Sequence, residues 1–245
     1  MKKLLSFLLF MGVSVLFSHG PNHNKAEEAK KRGDYKSALK YSFIQLDEDL
    51  QKFGEYSNET MITYGRLGIY SKKLGQYHQS LAYNFEALKI QKKILEPNDI
   101  LIATTYNNIG GVYAKLKNNK EALAYYFKSL KIRRITLGEN HRTEAITSNN
   151  IAKVYRQQGK YEEALKYYKK SLLIRQDTLD KHDYSIALAH SNIGLVYFKQ
   201  KKHEKALKEL GKALEIRQIL FGKEHSFTKK TQKNIDYIKQ SMLKG

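Results

Sequence analysis

The chain is 245 residues long and strongly basic, with 44 Lys and Arg against 24 Asp and Glu, so its formal net charge is +20. Such a charge favours acidic partners without naming one, and a hydrophobic fraction of 41% is enough for a folded chain. The absence of cysteine excludes disulfides, thiolate metal sites and cysteine nucleophiles.

The N-terminus has the pattern of a secretory signal. Lys2 and Lys3 precede an apolar stretch of 14 residues, Leu4 to Phe17, which is shorter than a membrane-spanning helix of about 18 residues or more. Residues 1–20 are therefore predicted to be an export signal that directs the protein to the periplasm or the cell exterior. The alternative is an uncleaved membrane anchor at residues 4–17, because Pro21 directly follows Gly20 and makes a poor cleavage site.

A seven-residue pattern recurs every 42 residues along the chain. It reads NNIGGVY from Asn107, NNIAKVY from Asn149 and SNIGLVY from Ser191, and a fixed period of this size is typical of repeat architectures. Other positions follow the same period. They hold a small residue, a glycine or lysine, a residue that is usually aromatic, and an alanine or serine followed by leucine, as at Ala152, Gly159, Tyr161, Ala164 and Leu165.

Each repeat is predicted to be a helical hairpin, in which helix A is followed by helix B. Apolar residues recur at the i, i+3, i+4 spacing of helices, and the small residues allow two helices to approach closely. Gly159 is predicted to end helix A through a left-handed turn, which glycine adopts without a steric penalty from a Cβ. Lys117 and Lys201 stand at the equivalent positions and lack this advantage. A second turn follows helix B, as in LGENH at residues 137–141.

The repeats resemble the tetratricopeptide repeat family, whose signature is met at Ala152, Gly159, Tyr161 and Ala164. The period exceeds the usual value of about 34 residues, and this long form is similar to the repeats of kinesin light chain, most clearly over residues 104–141. The resemblance implies an all-α fold, a right-handed superhelical solenoid of antiparallel helix pairs with a C-terminal capping helix. No tryptophan occupies the family's early helix-A site.

The period divides the chain into segments. The resemblance covers about residues 22–243, nearly all of the chain that follows the signal. The predicted order is the signal or anchor at 1–20, a shortened first repeat at 21–57, full repeats at 58–99, 100–141, 142–183 and 184–225, and a capping helix at 226–245.

The resemblance also implies that helix A of each repeat lines a concave peptide-binding groove. Asparagine recurs on helix A, and an amide can hold both the C=O and the N–H of an extended peptide. The alternative is that these asparagines set the packing register of the helices. Cations on the same helices would suit carboxylates or phosphates, unless they are simply a solvated face. The predicted groove residues are Asn107, Asn108, Asn149, Asn150, Asn192, Arg66, Lys73, Lys115, Lys153, Arg156 and Lys199.

Two series of side chains that recur with the period, cations and tyrosines, are predicted to have structural roles. The cations of helix B are predicted to lie on the outer surface and to pair with nearby acids; they are Lys89, Lys131, Arg133, Arg134, Arg175 and Arg217. Periodic tyrosines are predicted to be core, because periodic aromatic residues inside a solenoid are more often core than stacking platforms. They are Tyr113, Tyr155 and Tyr197 at one position of helix A, and Tyr126 and Tyr168 at one position of helix B.

Catalysis has little support in the sequence. The 8 histidines are scattered, and His141 and His225 lie in equivalent turns, which favours a structural role. No nucleophile elbow, phosphate loop or cluster with metal-ligand spacing is present. We therefore expect no enzyme activity, no cofactor and no metal.

The predicted function is a non-enzymatic protein–protein interaction module or scaffold that binds an extended acidic peptide or protein segment in the groove. One alternative is a basic solenoid that binds nucleic acid, which export disfavours and for which no stretch is dense enough in cations. The other is a structural scaffold that associates with itself through its open ends. Membrane contact would require an uncleaved N-terminal segment, and the oligomeric state is not predicted. The signal together with this family indicates a bacterial protein.

Overall fold

The computed structural model describes residues 20–243 of the chain. Apart from Gly20, the predicted signal or anchor lies outside the described residues. The described part consists of α-helices without strands: α1 Pro21–Lys31, α2 Tyr35–Phe53, α3 Asn58–Lys73, α4 Tyr77–Ile94, α5 Ile100–Lys115, α6 Asn119–Leu137, α7 Arg142–Gln157, α8 Tyr161–Thr178, α9 Tyr184–Lys199, α10 His203–Phe221 and α11 Ser226–Leu243. None of these helices is both long enough and apolar enough to cross a membrane.

The helices form two compact units, which divide after Ile94. Unit 1 contains α1 to α4, and unit 2 contains α5 to α11. In unit 1, α1 packs on α2 and α3 on α4. In unit 2, the pairs are α5 with α6, α7 with α8 and α9 with α10, and α11 packs on α10. The prediction of an all-α fold of antiparallel helix pairs is confirmed.

Every second helix from α3 onward begins 42 residues after the one before it, and a capping side chain precedes each of these helices. These helices, α3, α5, α7, α9 and α11, start at residues 58, 100, 142, 184 and 226. Each is preceded by a side chain that accepts a hydrogen bond from a backbone N–H of the first turn, from Ser57, Asp99, His141, Asp183 and His225. Such a cap stabilises a helix by about 1 kcal/mol. The predicted structural role of His141 and His225 is confirmed.

A residue in the left-handed conformation closes the first helix of each pair. After α7, Gly159 has φ 75°, and the backbone N–H of Lys160 donates to the carbonyl of Tyr155. Lys117 and Lys201 adopt the same conformation, with φ 60°, in the turns after α5 and α9. A side chain there costs about 1–2 kcal/mol relative to a right-handed conformation, a cost that glycine avoids. The turn geometry is therefore kept in these two repeats at the expense of stability.

Small residues let the two helices of a pair touch closely. A Cβ added to Gly194 of α9 would lie 2.9 Å from Cγ of Leu210 and 3.1 Å from the carbonyl oxygen of Ala206, both in α10. A Cβ added to Gly110 of α5 would lie 2.9 Å from the ring of Tyr126 in α6. The predicted close packing of helix A on helix B is therefore confirmed.

Tyrosines contribute to the apolar core of unit 2. Tyr126 of α6 and Tyr168 of α8 occupy equivalent positions, and both are buried among apolar residues of neighbouring helices. Burial raises the pKa of the Tyr168 hydroxyl to about 12. The core prediction is confirmed for Tyr126 and Tyr168, whereas Tyr113, Tyr155 and Tyr197 of the first helices are half-buried and pack against the core.

Three of the helix-B cations, Lys89, Lys131 and Arg134, are exposed as predicted, and Lys89 and Arg134 form ion pairs with Glu55 and Glu144. For the other three the prediction is wrong. Arg133, Arg175 and Arg217 are buried. Their guanidinium groups donate to the next helix, from Arg133 to the Thr143 carbonyl at 3.1 Å, from Arg175 to the Ser185 carbonyl at 2.7 Å and from Arg217 to the Thr231 hydroxyl. The prediction was wrong because it relied on the usual exposure of arginine. The long aliphatic part of an arginine side chain can lie in the core, and its planar guanidinium group can then bind oxygen atoms of the next helix.

Candidate functional site

The outward side chains of α5, α7 and α9 form one face of unit 2, which we call the A-helix face. These are the first helices of successive pairs, α5 and α7 are in contact, and residues at i, i+4, i+7 and i+11 of a helix share one side. All the residues of this face are exposed or half-buried except Asn192, which is buried. The face consists of Thr104, Asn108, Gly111 and Lys115 of α5, Ile146, Asn150, Lys153 and Gln157 of α7, and Leu188, Asn192, Leu195 and Lys199 of α9.

Amide hydrogen bonds link the successive helices of this face. Nδ2 of Asn150 in α7 donates to Oδ1 of Asn107 in α5, and Nδ2 of Asn192 in α9 donates to Oδ1 of Asn149 in α7, each at 3.3 Å. Asn149 and Asn192 are buried, whereas Asn107, Asn108 and Asn150 are half-buried. These contacts support the packing alternative for the four linked residues. Binding of a ligand's backbone by the asparagines stays a prediction.

Lys153 is the centre of a group of cations on the A-helix face. It is half-buried, and its pKa is lowered first by burial and then by repulsion from Arg156, Arg175 and Lys115. The ion pairs in the described part of unit 2 do not include Lys153, Arg156 or Lys115. A half-buried ammonium group among like charges is destabilised unless an anion binds beside it.

The distribution of acidic residues explains why these cations lack partners. Neither α5 nor α9 contains an acidic residue, and α7 contains only Glu144. Glu144 is fully buried and forms an ion pair with Arg134 of α6 at 2.6 Å, so it does not neutralise Lys153. The positive charge of the A-helix face therefore remains available to a ligand.

An apolar cleft of about 400 Å³ adjoins these cations at the C-terminal side of the face. Its apolar wall comes from α9 and α11, and the cations at its border come from α7 and α9. The wall and border include Leu195, Phe198, Tyr237, Ile238, Arg156 and Lys199. Two predicted groove residues, Arg156 and Lys199, thus stand beside an apolar surface that the sequence analysis missed. Leu195 and Tyr237 occupy the same position of the 42-residue period as Lys153, and this signal could have located them.

The other two predicted groove cations lie in unit 1, on α3. The guanidinium of Arg66 contacts the ring of His23 in α1 and lies 3.7 Å from the carboxylate of Glu27. Lys73 is exposed at the end of α3, with its ammonium group 5.5 Å from the ring centre of Tyr35 in α2. Arg66 is thus already engaged within unit 1, and the groove role of both residues stays a prediction.

The chemistry of the A-helix face is that of a binding surface. It offers ammonium and guanidinium donors, amide donors and acceptors, and an apolar cleft, which together can hold carboxylates, a peptide backbone and an apolar side chain. In residues 20–243, no group of three or more His, Cys, Asp or Glu side chains could hold a metal ion.

The paired antiparallel helices, their 42-residue period and this face define a helical repeat protein that binds other molecules through its surface. The sequence model of the tetratricopeptide repeat family matches residues 59–135, 101–177 and 185–235, which together cover well over half of the chain. The chain belongs to the tetratricopeptide repeat family, as its sequence predicted. Proteins of this family are generally non-enzymatic scaffolds for protein–protein interaction. The fold therefore indicates that the partners of this chain are proteins or peptides.

Solved structures with the same fold include kinesin light chain-like proteins. BtubC (BKLC) from P. vanneervenii is 22% identical with a TM-score of 0.71, over 80% of this chain and 78% of that one. A putative kinesin light chain from Podosopora anserina is 16% identical with a TM-score of 0.68, over 82% and 95% of the two chains. MamA from Desulfovibrio magneticus RS-1 is 17% identical with a TM-score of 0.58, over 82% and 97%. Likenesses at these identities show the fold alone, and a search of curated proteins returned no match.

Proposed function

We propose that unit 2 binds an extended acidic segment of a partner protein along the A-helix face. The observation that carries the proposal is the half-buried Lys153, which has Arg156 and Lys115 close to it and forms no ion pair within the described unit. A cluster of like charges lowers the stability of a fold. Such a cost is expected where an anionic ligand supplies the missing charge, because functional sites are where charges are left unmatched.

The repeat explains why the ligand is extended. Equivalent side chains of α5, α7 and α9 stand side by side, and helices packed in this way lie about 8–10 Å apart. An extended peptide advances about 3.3 Å per residue, so about three of its residues span one helix step. Lys115 of α5 and Lys199 of α9 are equivalent, and Lys153 of α7 lies one helical turn before Gln157, which is the equivalent residue of α7. Carboxylates spaced along such a segment can therefore meet all three lysines.

Apolar side chains on the same face favour a peptide over a nucleic acid. Ile146 of α7 is 51% exposed, and Leu188 and Leu195 of α9 are half-buried beside the cations. A nucleic acid needs a cationic track along its phosphates, which these apolar residues interrupt. Binding of nucleic acid is therefore an outcome to be tested, and not a second proposal.

Charge-matched variants test the proposed site. Fluorescein-labelled acidic peptides are titrated with the purified chain, and fluorescence anisotropy gives the Kd. Lys153→Gln should weaken binding about tenfold, whereas Lys131→Gln, which removes an exposed lysine from α6, should change the Kd less than about twofold. Binding should also weaken as salt is raised from about 50 to 200 mM.

Three results would count against the proposal. Equal losses for Lys153→Gln and Lys131→Gln would show non-specific attraction to a basic protein. An oligonucleotide that binds more tightly than the acidic peptides at about 150 mM salt would favour the nucleic-acid alternative. An increase in sedimenting mass with concentration, in the absence of peptide binding, would favour a scaffold that associates with itself.

Asn108 separates the two roles considered for the asparagines. It is half-buried on the A-helix face, and the hydrogen bonds that link Asn107 with Asn150 and Asn149 with Asn192 do not involve it. If the amides also hold the ligand's backbone, Asn108→Ala should weaken peptide binding about three- to tenfold with little change in Tm. An unchanged Kd would leave these asparagines with the packing role alone.

We also propose that residues 1–20 direct export to the periplasm or the cell exterior of a bacterium. The support is the basic pair Lys2 and Lys3 followed by the apolar residues 4–17. Mass spectrometry of the native protein tests this proposal, because cleavage should leave an N-terminus close to residue 21. An intact N-terminus in the membrane fraction would show an uncleaved anchor instead.

A further inference from the structure

The turns of unit 2 differ in charge according to the helices that they join. The turns from a first helix to the second helix of its pair read AKLKNNKE, RQQGKYEE and FKQKKHEK, at residues 114–121, 156–163 and 198–205. They hold nine Lys and Arg against four Glu. The turns from a second helix to the next first helix hold three Lys and Arg against five Asp and Glu, and read TLGENHRTE, TLDKHDYSI and LFGKEHSFT, at residues 136–144, 178–186 and 220–228. Positive charge is therefore concentrated in the first set of turns.

The positively charged turns form one continuous edge of unit 2, which we call the basic edge. Nε2 of Gln200 donates to a carboxylate oxygen of Glu162 at 2.8 Å, and Nζ of Lys202 lies 3.4 Å from the same oxygen. These contacts join the turn after α9 to the turn after α7. The turn after α5 lies close to α7, because the pKa of Lys153 is lowered by burial and by nearby charges that include Lys115.

The lysines of the basic edge point their charge at solvent. Lys117, Lys160, Lys201 and Lys205 are exposed, and among the residues of this edge the ion pairs of residues 20–243 include only Lys202 with Glu162. The glutamates of the edge lie in the first turns of α6, α8 and α10, where the positive ends of the helix dipoles attract them. Most of the lysines are therefore free to meet an anionic partner.

Two turns of the basic edge hold lysine where other repeats hold glycine. Lys117 and Lys201 have φ 60°, whereas Gly33, Gly75 and Gly159 occupy the equivalent positions. Glycine adopts this left-handed conformation without steric penalty. A side chain kept in an unfavourable conformation, exposed and without an ion-pair partner among residues 20–243, points to a role outside the fold.

The basic edge ends beside two exposed apolar side chains. Met242 and Leu243, at the C-terminal end of α11, are 45% and 88% exposed. Met242 lines a shallow depression together with Lys201, Lys202 and Lys205. Surfaces that bind at a membrane interface have this composition, because their apolar side chains enter the boundary of the acyl chains while their ammonium groups stay with the headgroups.

We propose that the basic edge of unit 2 binds the surface of an anionic membrane, with Met242 and Leu243 inserted at its end. The positive charge of the edge is complementary to anionic headgroups, and each lysine held near such a surface strengthens binding about fivefold. This contact is peripheral, so it needs neither a spanning helix nor residues 1–20. It is also independent of the peptide site proposed on the A-helix face.

The rings of the basic edge favour a membrane over a nucleic acid. Tyr161, Phe198 and His203 are half-buried, and the rings of Phe198 and His203 contact each other edge-on, with centroids 5.6 Å apart. Single-stranded nucleic acids bind by stacking their bases on open rings, which this edge does not offer. Met242 and Leu243 have no role on a phosphate backbone but suit a lipid surface.

Vesicles of defined composition test the inference. The purified chain is sedimented with vesicles of phosphatidylcholine that contain about 30% phosphatidylglycerol, or with vesicles of phosphatidylcholine alone. The wild-type chain should bind the anionic vesicles at least about tenfold more tightly than the neutral ones, and this preference should fall as salt is raised from about 50 to 300 mM.

Charge-matched variants locate the contact. Lys117→Gln combined with Lys201→Gln should weaken binding to anionic vesicles about tenfold or more. Lys181→Gln combined with Lys223→Gln removes two exposed lysines from the opposite turns and should change it less than about twofold. All variants share one N-terminus, so residues 1–20 do not contribute to the difference. Circular dichroism checks that each variant is folded.

The apolar end of the edge has its own matched control. Met242→Ser combined with Leu243→Ser should weaken binding about fivefold or more, because both side chains would otherwise leave water. Ile135→Ser combined with Ile219→Ser removes two apolar side chains from α6 and α10, each 56% exposed, and should change binding less than about twofold.

Three results would overturn the inference. Equal losses for the two lysine pairs would show general attraction to a basic protein, and equal binding to neutral and anionic vesicles would show that headgroup charge is not recognised. If Lys117→Gln with Lys201→Gln abolishes binding of an oligonucleotide but leaves vesicle binding unchanged, the edge serves nucleic acid instead. Acidic peptides give a separate readout, since this variant leaves the A-helix face intact and should keep the peptide Kd of the wild type. Failure of either proposal therefore leaves the other standing.

Discussion

The two kinds of helix in unit 2 use their positive charge differently. On α6, α8 and α10, the arginines at one repeat position are buried and donate to the next helix. On α5, α7 and α9, Lys115, Lys153 and Lys199 have no ion-pair partner among the described residues. The buried arginines of the second helices therefore bind the helix that follows, whereas the lysines of the first helices are the charges that the proposed ligand would meet. The degree of burial does not distinguish the arginines from the lysines. They differ in whether an oxygen atom of the protein lies within hydrogen-bonding distance of the cation.

Loss of a buried arginine should have the largest effect. Arg175→Ala leaves the Ser185 carbonyl without its donor and opens a cavity, so we expect a loss of about 2–4 kcal/mol in the free energy of unfolding. Lys131→Ala removes an exposed cation from α6 and should change it by less than about 0.5 kcal/mol. Urea denaturation followed by circular dichroism measures both. Equal small effects would show that the arginines do not hold the repeats together.

Two glycines in one helix pair should respond in opposite directions to the same substitution. Gly194→Ala places a methyl group against Leu210 and the Ala206 carbonyl, so we expect a loss of about 1–3 kcal/mol. Nothing lies within 4 Å of a Cβ added to Gly211 of α10, and Gly211→Ala should therefore stabilise the helix by up to about 1 kcal/mol. Thermal unfolding gives the two signs. Stabilisation by both variants would contradict the close contact of α9 with α10.

Lys153→Met should stabilise the protein at pH 7 by about 0.5–2 kcal/mol while it weakens the binding of acidic peptides. The pKa of Lys153 is lowered by burial, then by Arg156, Arg175 and Lys115, so its charged form destabilises the fold at neutral pH. This destabilisation is relieved as pH rises through the lowered pKa toward the ordinary value of 10.5.

The pH dependence provides the control for Lys153→Met. The stability advantage of the variant over the wild type should be smaller at about pH 10 than at pH 7, because the lowered pKa lets Lys153 lose its proton in the folded chain before it does so in the unfolded chain. Denaturant unfolding at the two pH values measures the difference. A variant that is less stable than the wild type at pH 7 would show that Lys153 is a packing residue with no unmatched charge.

The smallest effect is expected at the turn after α5. Lys117 has φ 60°, so Lys117→Gly should raise the free energy of unfolding by about 0.5–1 kcal/mol, the gain being limited by the extra freedom of glycine in the unfolded chain. Lys120→Gly makes the same substitution inside α6 and should lower it by up to about 1 kcal/mol. Differential scanning calorimetry resolves the opposite shifts in Tm. If both variants lower the Tm, the side chain of Lys117 stabilises the fold by more than its left-handed backbone conformation costs.

The helices were predictable because their ends are encoded locally. The caps at residues 57, 99, 141, 183 and 225 and the turns at Gly159 and its equivalents recur with the period, and each fixes its own helix end. The buried arginines were not predictable in this way. Arg175 turns inward because a carbonyl of α9 is within reach, a contact that exists only after the helices have packed.

The candidate site was predictable in its polar part. The repeat places Lys153, Arg156 and Lys199 on first helices of the pairs, as the structure does, although it does not require cations there, because the equivalents of Lys153 are Gly111 and Leu195. The two interpretations of Asn149 and Asn192 could not be separated without the distances between neighbouring helices. The cleft at Tyr237 was missed because its exposure depends on how α11 packs, although residue 237 shares a repeat position with Lys153.

The constant distance between caps makes one helix pair a module that can be gained or lost whole. A single residue inserted into α7 before Lys153 would rotate that side chain by about 100° around the helix axis and remove it from its row. Duplication of residues 142–183 would instead keep every later helix in phase, because α9 would still begin one full period after the preceding first helix. The addition of complete helix pairs would thus allow a longer ligand to bind, and the existing side chains would contact the ligand as before.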